Sequence, residues 1–148
     1  TKTIDHFLRA TWQAVSKMYN EEASKYGASM ATGLALLSID TEEGVPSTSL
    51  GPRMGMESTS LSRTLKTMEN QGLIRREPNP EDGRGVLIKL TKEGLEKRSL
   101  SKEVVIQFNQ SIEKAVSEKD LESFYKVIEL ILQKVRDRSI FIPQKQVS

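Results

Sequence analysis

Apolar side chains recur at steps of three and four residues through the first part of the chain. Between residues 4 and 26 they fall at Ile4, Phe7, Leu8, Trp12, Val15, Met18, Tyr19, Ala23 and Tyr26. This spacing predicts one long amphipathic helix that Gly27 ends. Ser29 is placed to cap a second, more apolar helix from Met30 to about Ile39.

A pair of short helices is predicted after the polar turn at residues 40–44. We place the start of the first helix at a Ser49 cap. Pro52 then falls in the first turn, where its missing N–H leaves no helical hydrogen bond unmade. This helix ends near Met54, and Gly55 makes the turn. Two short helices joined by a glycine turn predict a helix-turn-helix.

The second helix of the pair separates its apolar and polar side chains. It runs from about Ser58 to Gln71 and ends at Gly72. Its apolar face carries Leu61, Leu65 and Met68. The opposite face, flanked by Ser62, carries Thr59, Arg63, Lys66 and Asn70. The hydroxyls, cations and amide of this second face suit either solvent or DNA.

A β-hairpin is predicted directly after this helix. Strand-like segments at residues 73–77 and 86–90 flank a loop of sequence Pro-Asn-Pro-Glu-Asp-Gly-Arg-Gly. The loop holds Arg84 between two glycines at the hairpin tip, where it supports no core. The rest of the chain predicts two further helices, one capped by Thr91 and one that begins at Ser117. The predicted fold class is therefore mainly α, a winged helix-turn-helix with long helices at both ends of the chain.

Composition limits the class of protein. The 148 residues, 36% hydrophobic and 28% charged, fit a single domain spanning residues 1–148. No apolar run approaches the roughly 20 residues of a membrane span, and no signal peptide is visible, so we expect a cytoplasmic protein without a membrane partner. With no cysteine and His6 as the one histidine, we expect no metal and no cofactor. No catalytic constellation is visible, so the sequence does not predict an enzyme.

Positive charge is concentrated in the predicted winged helix. The formal net charge is +2. Residues 47–92 hold eight basic and five acidic side chains, an excess of +3, which leaves −1 for the remaining residues. This distribution agrees with a nucleic-acid partner but does not establish one.

The predicted DNA-binding residues follow from the chemistry of the two DNA grooves. A helix in the major groove uses short polar groups at its N-terminus and cations one turn later. Arg84 on the hairpin suits a narrow minor groove, where the negative potential is strongest, and Asp82 stabilises the wing. The full predicted DNA-binding set is Ser58, Thr59, Ser60, Ser62, Arg63, Lys66, Arg84, Arg53 and Arg75.

Each of these residues also has a simpler explanation. Arg63 and Lys66 could be solvated charges on an exposed helix, and Arg84 could pair with Asp82 only to stiffen the loop. Arg75 could be an ordinary strand-edge charge. The aromatic side chains Trp12, Tyr19 and Tyr26 are more typical of core or interface packing than of a ligand site.

The segment SLSRTLKTMENQGLIRREPNPEDGRGVLIKLTKEG, residues 60–94, closely resembles the MarR family of bacterial transcription regulators. The wing pattern of that family matches here at Asp82, Arg84, Leu87, Leu90, Thr91 and Gly94. Its recognition segment matches at Ser62, Arg63, Leu65, Leu73 and Ile74. The first helix and the last two helices also match the family's dimerisation arrangement. Gly51-Pro52 departs from the family pattern, so the first helix of the pair is expected to be short or bent. Glu57 stands where the family usually has a small cap residue, so it is expected to cap less well or to repel a phosphate.

The resemblance implies a homodimeric, sequence-specific DNA-binding regulator, acting as a repressor on a pseudo-palindromic operator in double-stranded DNA. Residues 29–92 would bind DNA, and residues 1–28 and 93–142 would form the dimerisation region. The apolar side chains expected to pair are Ile4, Phe7, Leu8, Phe124, Ile128, Ile131 and Val135. Left exposed in a monomer, these side chains would form a large apolar patch.

The resemblance also implies a pocket between the dimerisation helices and the winged helix. A small aromatic or anionic effector bound there would change the affinity for DNA. The redox-sensing and zinc-sensing branches of the family do not fit a chain without cysteine. The alternative function is a winged-helix protein-interaction module or antirepressor without its own operator. The basic recognition face disfavours it, because a protein-binding surface would carry apolar anchors there.

Overall fold

The computed structural model describes residues 2–143, which form helices and a small sheet. The elements are α1 (Ile4–Ser24), α2 (Met30–Ser38), β1 (Val45–Pro46), α3 (Ser47–Met54), α4 (Ser58–Asn70), β2 (Ile74–Asn79), β3 (Asp82–Leu90), α5 (Lys92–Ala115) and α6 (Glu118–Arg136). The chain divides into two compact units, the first ending at Ile106 and the second beginning at Gln107. The predicted fold class, a winged helix-turn-helix with long helices, is confirmed.

Most of the predicted helix boundaries are also confirmed. The Ser29 hydroxyl accepts a hydrogen bond from the Thr32 N–H at 3.2 Å, and the Ser117 hydroxyl accepts one from the Asp120 N–H at 3.1 Å. Gly72 adopts a left-handed φ of 74° after α4. Such a φ carries a steric cost for every residue with a Cβ, so a glycine fits there.

The hydrophobic core lies within the winged helix. Among the described residues, every buried apolar side chain falls between positions 35 and 90: Ala35, Leu36, Ile39, Val45, Leu50, Leu61, Leu65, Met68, Leu73, Ile74, Ile88 and Leu90. The predicted apolar face of α4 is therefore the face that packs on this core. Helices α1 and α6 contain no buried residue, so their packing within one chain leaves their apolar side chains partly in water.

The sheet has a third strand that the sequence did not predict. Val45 pairs with Ile88 and Pro46 with Leu87, so the antiparallel order is β1-β3-β2. A strand of two residues is too short to show an alternating pattern. Proline lacks the N–H of a central strand but fits at an edge, which is where Pro46 lies.

The predicted start of α3 at a Ser49 cap is wrong. The helix begins three residues earlier, at Ser47 with Pro46 in the cap position, so Pro52 lies inside it rather than in its first turn. Proline inside a helix costs about 3 kcal/mol. The fully buried Leu50 offsets part of that cost by leaving water. Gly55 ends the helix with a φ of 63°, as predicted.

The predicted hairpin loop is also too long. Both strands continue toward the tip, and the reversal is made by Pro80 and Glu81 alone, between Asn79 at the end of β2 and Asp82 at the start of β3. Proline and glycine in the sequence suggested an open loop. Here they are accommodated by an irregular register, because a bulge lets a strand contain residues that make no ladder hydrogen bonds.

A junction at Thr91 joins α4, the wing and α5. The Thr91 hydroxyl donates to the Gly72 carbonyl at 2.5 Å and accepts from the Gly94 N–H at 3.0 Å. The Thr91 N–H donates to the Leu73 carbonyl at 3.1 Å. Gly94 lies so close to Leu73 that a Cβ at this position would collide with the Leu73 carbonyl oxygen. The three elements are therefore held together by backbone contacts as well as by side-chain packing.

None of the helices in the described part of the chain is long and apolar enough to cross a membrane.

We predict that Gly94→Ala destabilises the protein. Glycine to alanine inside a helix usually stabilises by about 0.5–1 kcal/mol. At Gly94 the overpacking against Leu73 should reverse that sign and lower the free energy of unfolding by about 1–3 kcal/mol. Urea unfolding followed by circular dichroism measures the change. Gly33→Ala in α2 is the matched control, because its nearest neighbour is the Ser101 hydroxyl at 3.4 Å. An unchanged or higher urea midpoint for Gly94→Ala would contradict the close approach.

Candidate nucleic-acid interface and cavity

Helix α4 turns one face to the core and the other to solvent. Leu61, Leu65 and Met68 are at most 7% exposed. The predicted DNA-contacting side chains on the same helix are all exposed: Ser58, Thr59, Ser60, Ser62, Arg63 and Lys66. The structure thus brings these residues together on one surface, which we call the recognition face.

The N-terminus of α4 is not capped by a side chain. Glu57 occupies the cap position, with extended backbone angles, and makes no side-chain capping hydrogen bond. The sequence departure at Glu57 therefore has the predicted consequence for the helix end. The backbone N–H groups in the first turn of a helix need a partner from outside the helix.

Arg84 lies on a bulge of the wing rather than at its tip, which corrects the prediction. The register passes from Pro78 opposite Val86 to Asn79 opposite Asp82, so residues 83–85 protrude from β3. Arg84 is exposed. Gly85 fits this bulge closely, since a Cβ there would lie 3.2 Å from the Asp82 carboxylate.

Hydrogen bonds stiffen the backbone on both sides of the hairpin tip. The Asp82 carboxylate accepts from the Arg84 backbone N–H at 3.1 Å, and the Asn79 side-chain oxygen accepts from the Glu81 N–H at 3.1 Å. Asp82 thus contacts the backbone of Arg84 and not its guanidinium.

Two of the predicted DNA-binding arginines are engaged within the chain. Arg75 donates from Nε to Glu77 at 2.8 Å and from Nη1 to the Leu90 carbonyl at 3.1 Å. Arg53 donates to the Ser38 carbonyl at 3.3 Å. Arg63, Lys66 and Arg84, by contrast, form no side-chain ion pair within residues 2–143. The side chains of these last three also form no hydrogen bond within those residues, so a phosphate or base can engage them without breaking a contact of the chain.

Glu77 is the charged centre of the wing. Its carboxylate accepts from Arg75 and lies 3.3 Å from the Lys89 ammonium. Hydrogen bonds from Arg75 and then Lys89 lower the pKa of Glu77 below its ordinary value. The carboxylate therefore stays ionised at neutral pH and holds both cations on the sheet.

Glu69 and Arg76 form a contact that the sequence did not reveal. The Arg76 Nε donates to the Glu69 carboxylate at 3.2 Å, which connects the last turn of α4 to β2. Both residues are exposed, and they stand seven positions apart across a turn. No helical or strand spacing marks such a pair. The Glu69–Arg76 pair helps to set the angle between the recognition face and the wing.

A cavity of about 520 Å³ lies in the first unit, among α1, α2, the end of α4 and the first part of α5. Three aromatic side chains of α1 line it: Trp12, Tyr19 and Tyr26. Trp12 is 57% and Tyr26 45% exposed, so these two rings are not part of the core of one chain. That they pack at an interface stays a prediction. Tyr19 is half-buried, and desolvation raises the pKa of its phenol above the ordinary value.

The charged lining of the cavity comes from the first turns of α5. Glu93, Glu96 and Lys97 all line it. The Lys97 ammonium donates to the Tyr26 carbonyl at 2.9 Å, a bond that fastens the end of α1 to α5. Gln71 and Leu73 line the same cavity, so its wall reaches the junction at Thr91.

Comparison with known proteins agrees with this architecture. A model of the MarR family matches residues 29–86. The chain is 28% identical over 113 residues to the HTH-type transcriptional regulator SarZ of Staphylococcus haemolyticus, covering 76% of this chain and 77% of that protein. It is 36% identical over 87 residues to the organic hydroperoxide resistance transcriptional regulator of Bacillus subtilis, covering 59% of each. The S. aureus MepR–DNA complex has a matching fold, with a TM-score of 0.82 at 17% identity, over 91% of this chain and 99% of that one.

The fold is that of a winged helix-turn-helix protein with added long helices. Within it, residues 29–86 match the MarR family.

Proposed function

We propose that the protein is a homodimeric, sequence-specific DNA-binding regulator of transcription in the cytoplasm, acting as a repressor on a pseudo-palindromic operator. The observation that carries the proposal is the pairing of two surfaces on one winged helix. The recognition face presents hydroxyls and two cations, and the wing presents Arg84 on a stiffened bulge.

The two surfaces suit two grooves of the same duplex. Helix α4 is 13 residues long, and its exposed side chains supply donors for base edges and phosphates in a major groove. Arg84 suits the adjacent minor groove. The Thr91 junction and the Glu69–Arg76 pair keep the helix and wing in a defined relation, so both can engage DNA without reorganisation.

The proposal of a dimer rests on the exposed apolar side chains at the two ends of the chain. Helix α1 exposes Ile4, Phe7 and Leu8 by 65%, 52% and 41%, and α6 exposes Phe124 and Val135 by 56% and 58%. Neither helix contains a buried residue. Apolar surface of this extent is rare on monomers, and a self-complementary two-fold contact between copies would cover it.

Within this proposal the regions have separate tasks. Residues 29–92 bind DNA, while residues 1–28 and 93–142 form the dimer. Ile128 and Ile131 are half-buried within their own chain, so they support α6 as well as the contact between copies.

We place a small-molecule effector in the cavity, as the family resemblance implies. Its wall is shared by α1, α2 and α5 and includes Leu73, three residues after the end of α4. A ligand changes DNA affinity only through differential binding to two arrangements of these elements, a coupling of typically about 1–3 kcal/mol.

A protein-interaction module is the other function that a winged helix can serve. The recognition face disfavours such a module. Protein-binding hot spots use aromatic or aliphatic anchors, whereas the exposed residues of this face are small hydroxyl-bearing residues and cations.

The first test of DNA binding compares Arg84→Ala with Arg63→Ala. Loss of the Arg84 cation should weaken binding to all sequences and reduce the salt slope by about one. Loss of Arg63 should cost about 1–3 kcal/mol and relax the preference at the base that it contacts. Fluorescence anisotropy on an operator duplex and its single-base variants, over a salt series, separates the two effects. Lys102→Ala, an exposed cation on α5, is the control. If Arg84→Ala binds every duplex like the parent over the whole salt series, the wing has only a structural role.

The test of the dimer introduces charge at exposed positions of α6. Phe124→Asp and Val135→Asp should give monomers that keep their helices but lose operator binding, although neither residue touches DNA. Sedimentation velocity at low micromolar concentration measures the oligomeric state. Lys126→Asp is the control, since it lies about 200° around the helix from Phe124. A parent protein that sediments as a folded monomer and still binds a full palindrome would exclude the dimer.

A further inference from the structure

The lining of the cavity has a charge pattern that selects among ligands. We propose that the effector is a lipophilic organic cation, an amine or quaternary ammonium on an apolar body, and not a carboxylic acid. The inference rests on the proposed function for the presence of an effector and adds its chemical class. It departs from the sequence expectation of a small aromatic or anionic effector, because it excludes an anionic one.

The first observation is the balance of charge. The cavity lining in the described chain contains two carboxylates, Glu93 and Glu96, and one cation, Lys97, with no arginine or histidine. The Lys97 ammonium already donates to the Tyr26 carbonyl. Both carboxylates are exposed and would repel a bound carboxylate, whose one cationic partner in the lining is already partly engaged.

The second observation is the aromatic content of α1. Trp12, Tyr19 and Tyr26 all line the cavity. The face of each aromatic ring attracts cations, most strongly at tryptophan. The carboxylates and the aromatic rings of this cavity therefore both favour a positively charged ligand.

The third observation is the distribution of polar and apolar groups along the cavity. The Lys97–Tyr26 hydrogen bond sets the end of α1 beside the first turns of α5, which also carry Glu93 and Glu96. One to two turns further along α5, the lining is Leu100 and Val104. The volume of about 520 Å³ falls in the range of drug-sized ligands. A ligand with a charged head and an apolar body fits this arrangement.

Glu93 also has a structural role, because an acidic residue in the first turn of a helix is stabilised by the helix dipole. Glu96 lies beyond that first turn and gains little from the dipole. Glu96 is therefore the residue whose place in the lining points most directly to a ligand.

Three probes with one apolar body and different head groups test the inference: phenylbutylammonium, phenylbutanol and phenylbutanoate. Trp12 is the only tryptophan of the chain, so its fluorescence reports binding in this cavity, and calorimetry gives the dissociation constants. We expect the ammonium to bind at least about tenfold more tightly than the carboxylate, with the alcohol between them.

Isosteric variants assign the selectivity to the two carboxylates. Glu96→Gln, alone and with Glu93→Gln, should bring the three affinities together. Glu103→Gln, an exposed α5 carboxylate outside the cavity lining, should retain the parent preference. If the double variant does not fold, the affinities of Glu96→Gln alone for the three probes test the assignment.

Three results would overturn the inference: phenylbutanoate binding as tightly as the ammonium, no binding of any probe, or full selectivity retained in Glu96→Gln. DNA binding of the same samples without probe is measured in parallel. If only the inference about the effector is wrong, the protein still binds DNA. If the proposed function is wrong, it does not bind DNA.

Discussion

The close approach of Gly94 to the Leu73 carbonyl is the contact on which the rest of the structure depends. It lets α5 begin directly against the end of the recognition helix, and Thr91 bonds to both sides of that contact. No residue with a Cβ could stand at Gly94 without moving one of these elements. A local steric requirement thus fixes how α4 and the wing meet the first long helix after them.

The same junction relates the cavity to the recognition face. Gln71 and Leu73 line the cavity, and Glu93 lines it from the other side of the junction. A ligand that shifts α5 by a small amount therefore acts on backbone contacts of α4 and β3, since packed elements move between discrete arrangements rather than deforming freely. This is a physical route from the proposed effector to the proposed DNA surface.

Regular elements with long periodic patterns could be predicted from the sequence, and short or nonlocal features could not. The faces of α4 and the glycine at its end follow from spacing and backbone preference. Strand β1 has two residues and depends on pairing with distant Ile88. The cavity depends on how three helices pack, so the sequence predicted core or interface packing for the aromatic residues of α1 and did not place them in a cavity wall. The bulge at Arg84 depends on register, which turn-forming residues alone do not specify.

Selection of duplexes from a random-sequence DNA pool tests the central claim most directly. A dimer with one recognition helix in each copy should recover an inverted repeat whose half-sites are centred about 34–36 Å apart, one turn of DNA. The bound complex should contain two protein chains per duplex. Recovery of no motif, or of isolated half-sites bound by single chains, would contradict the account.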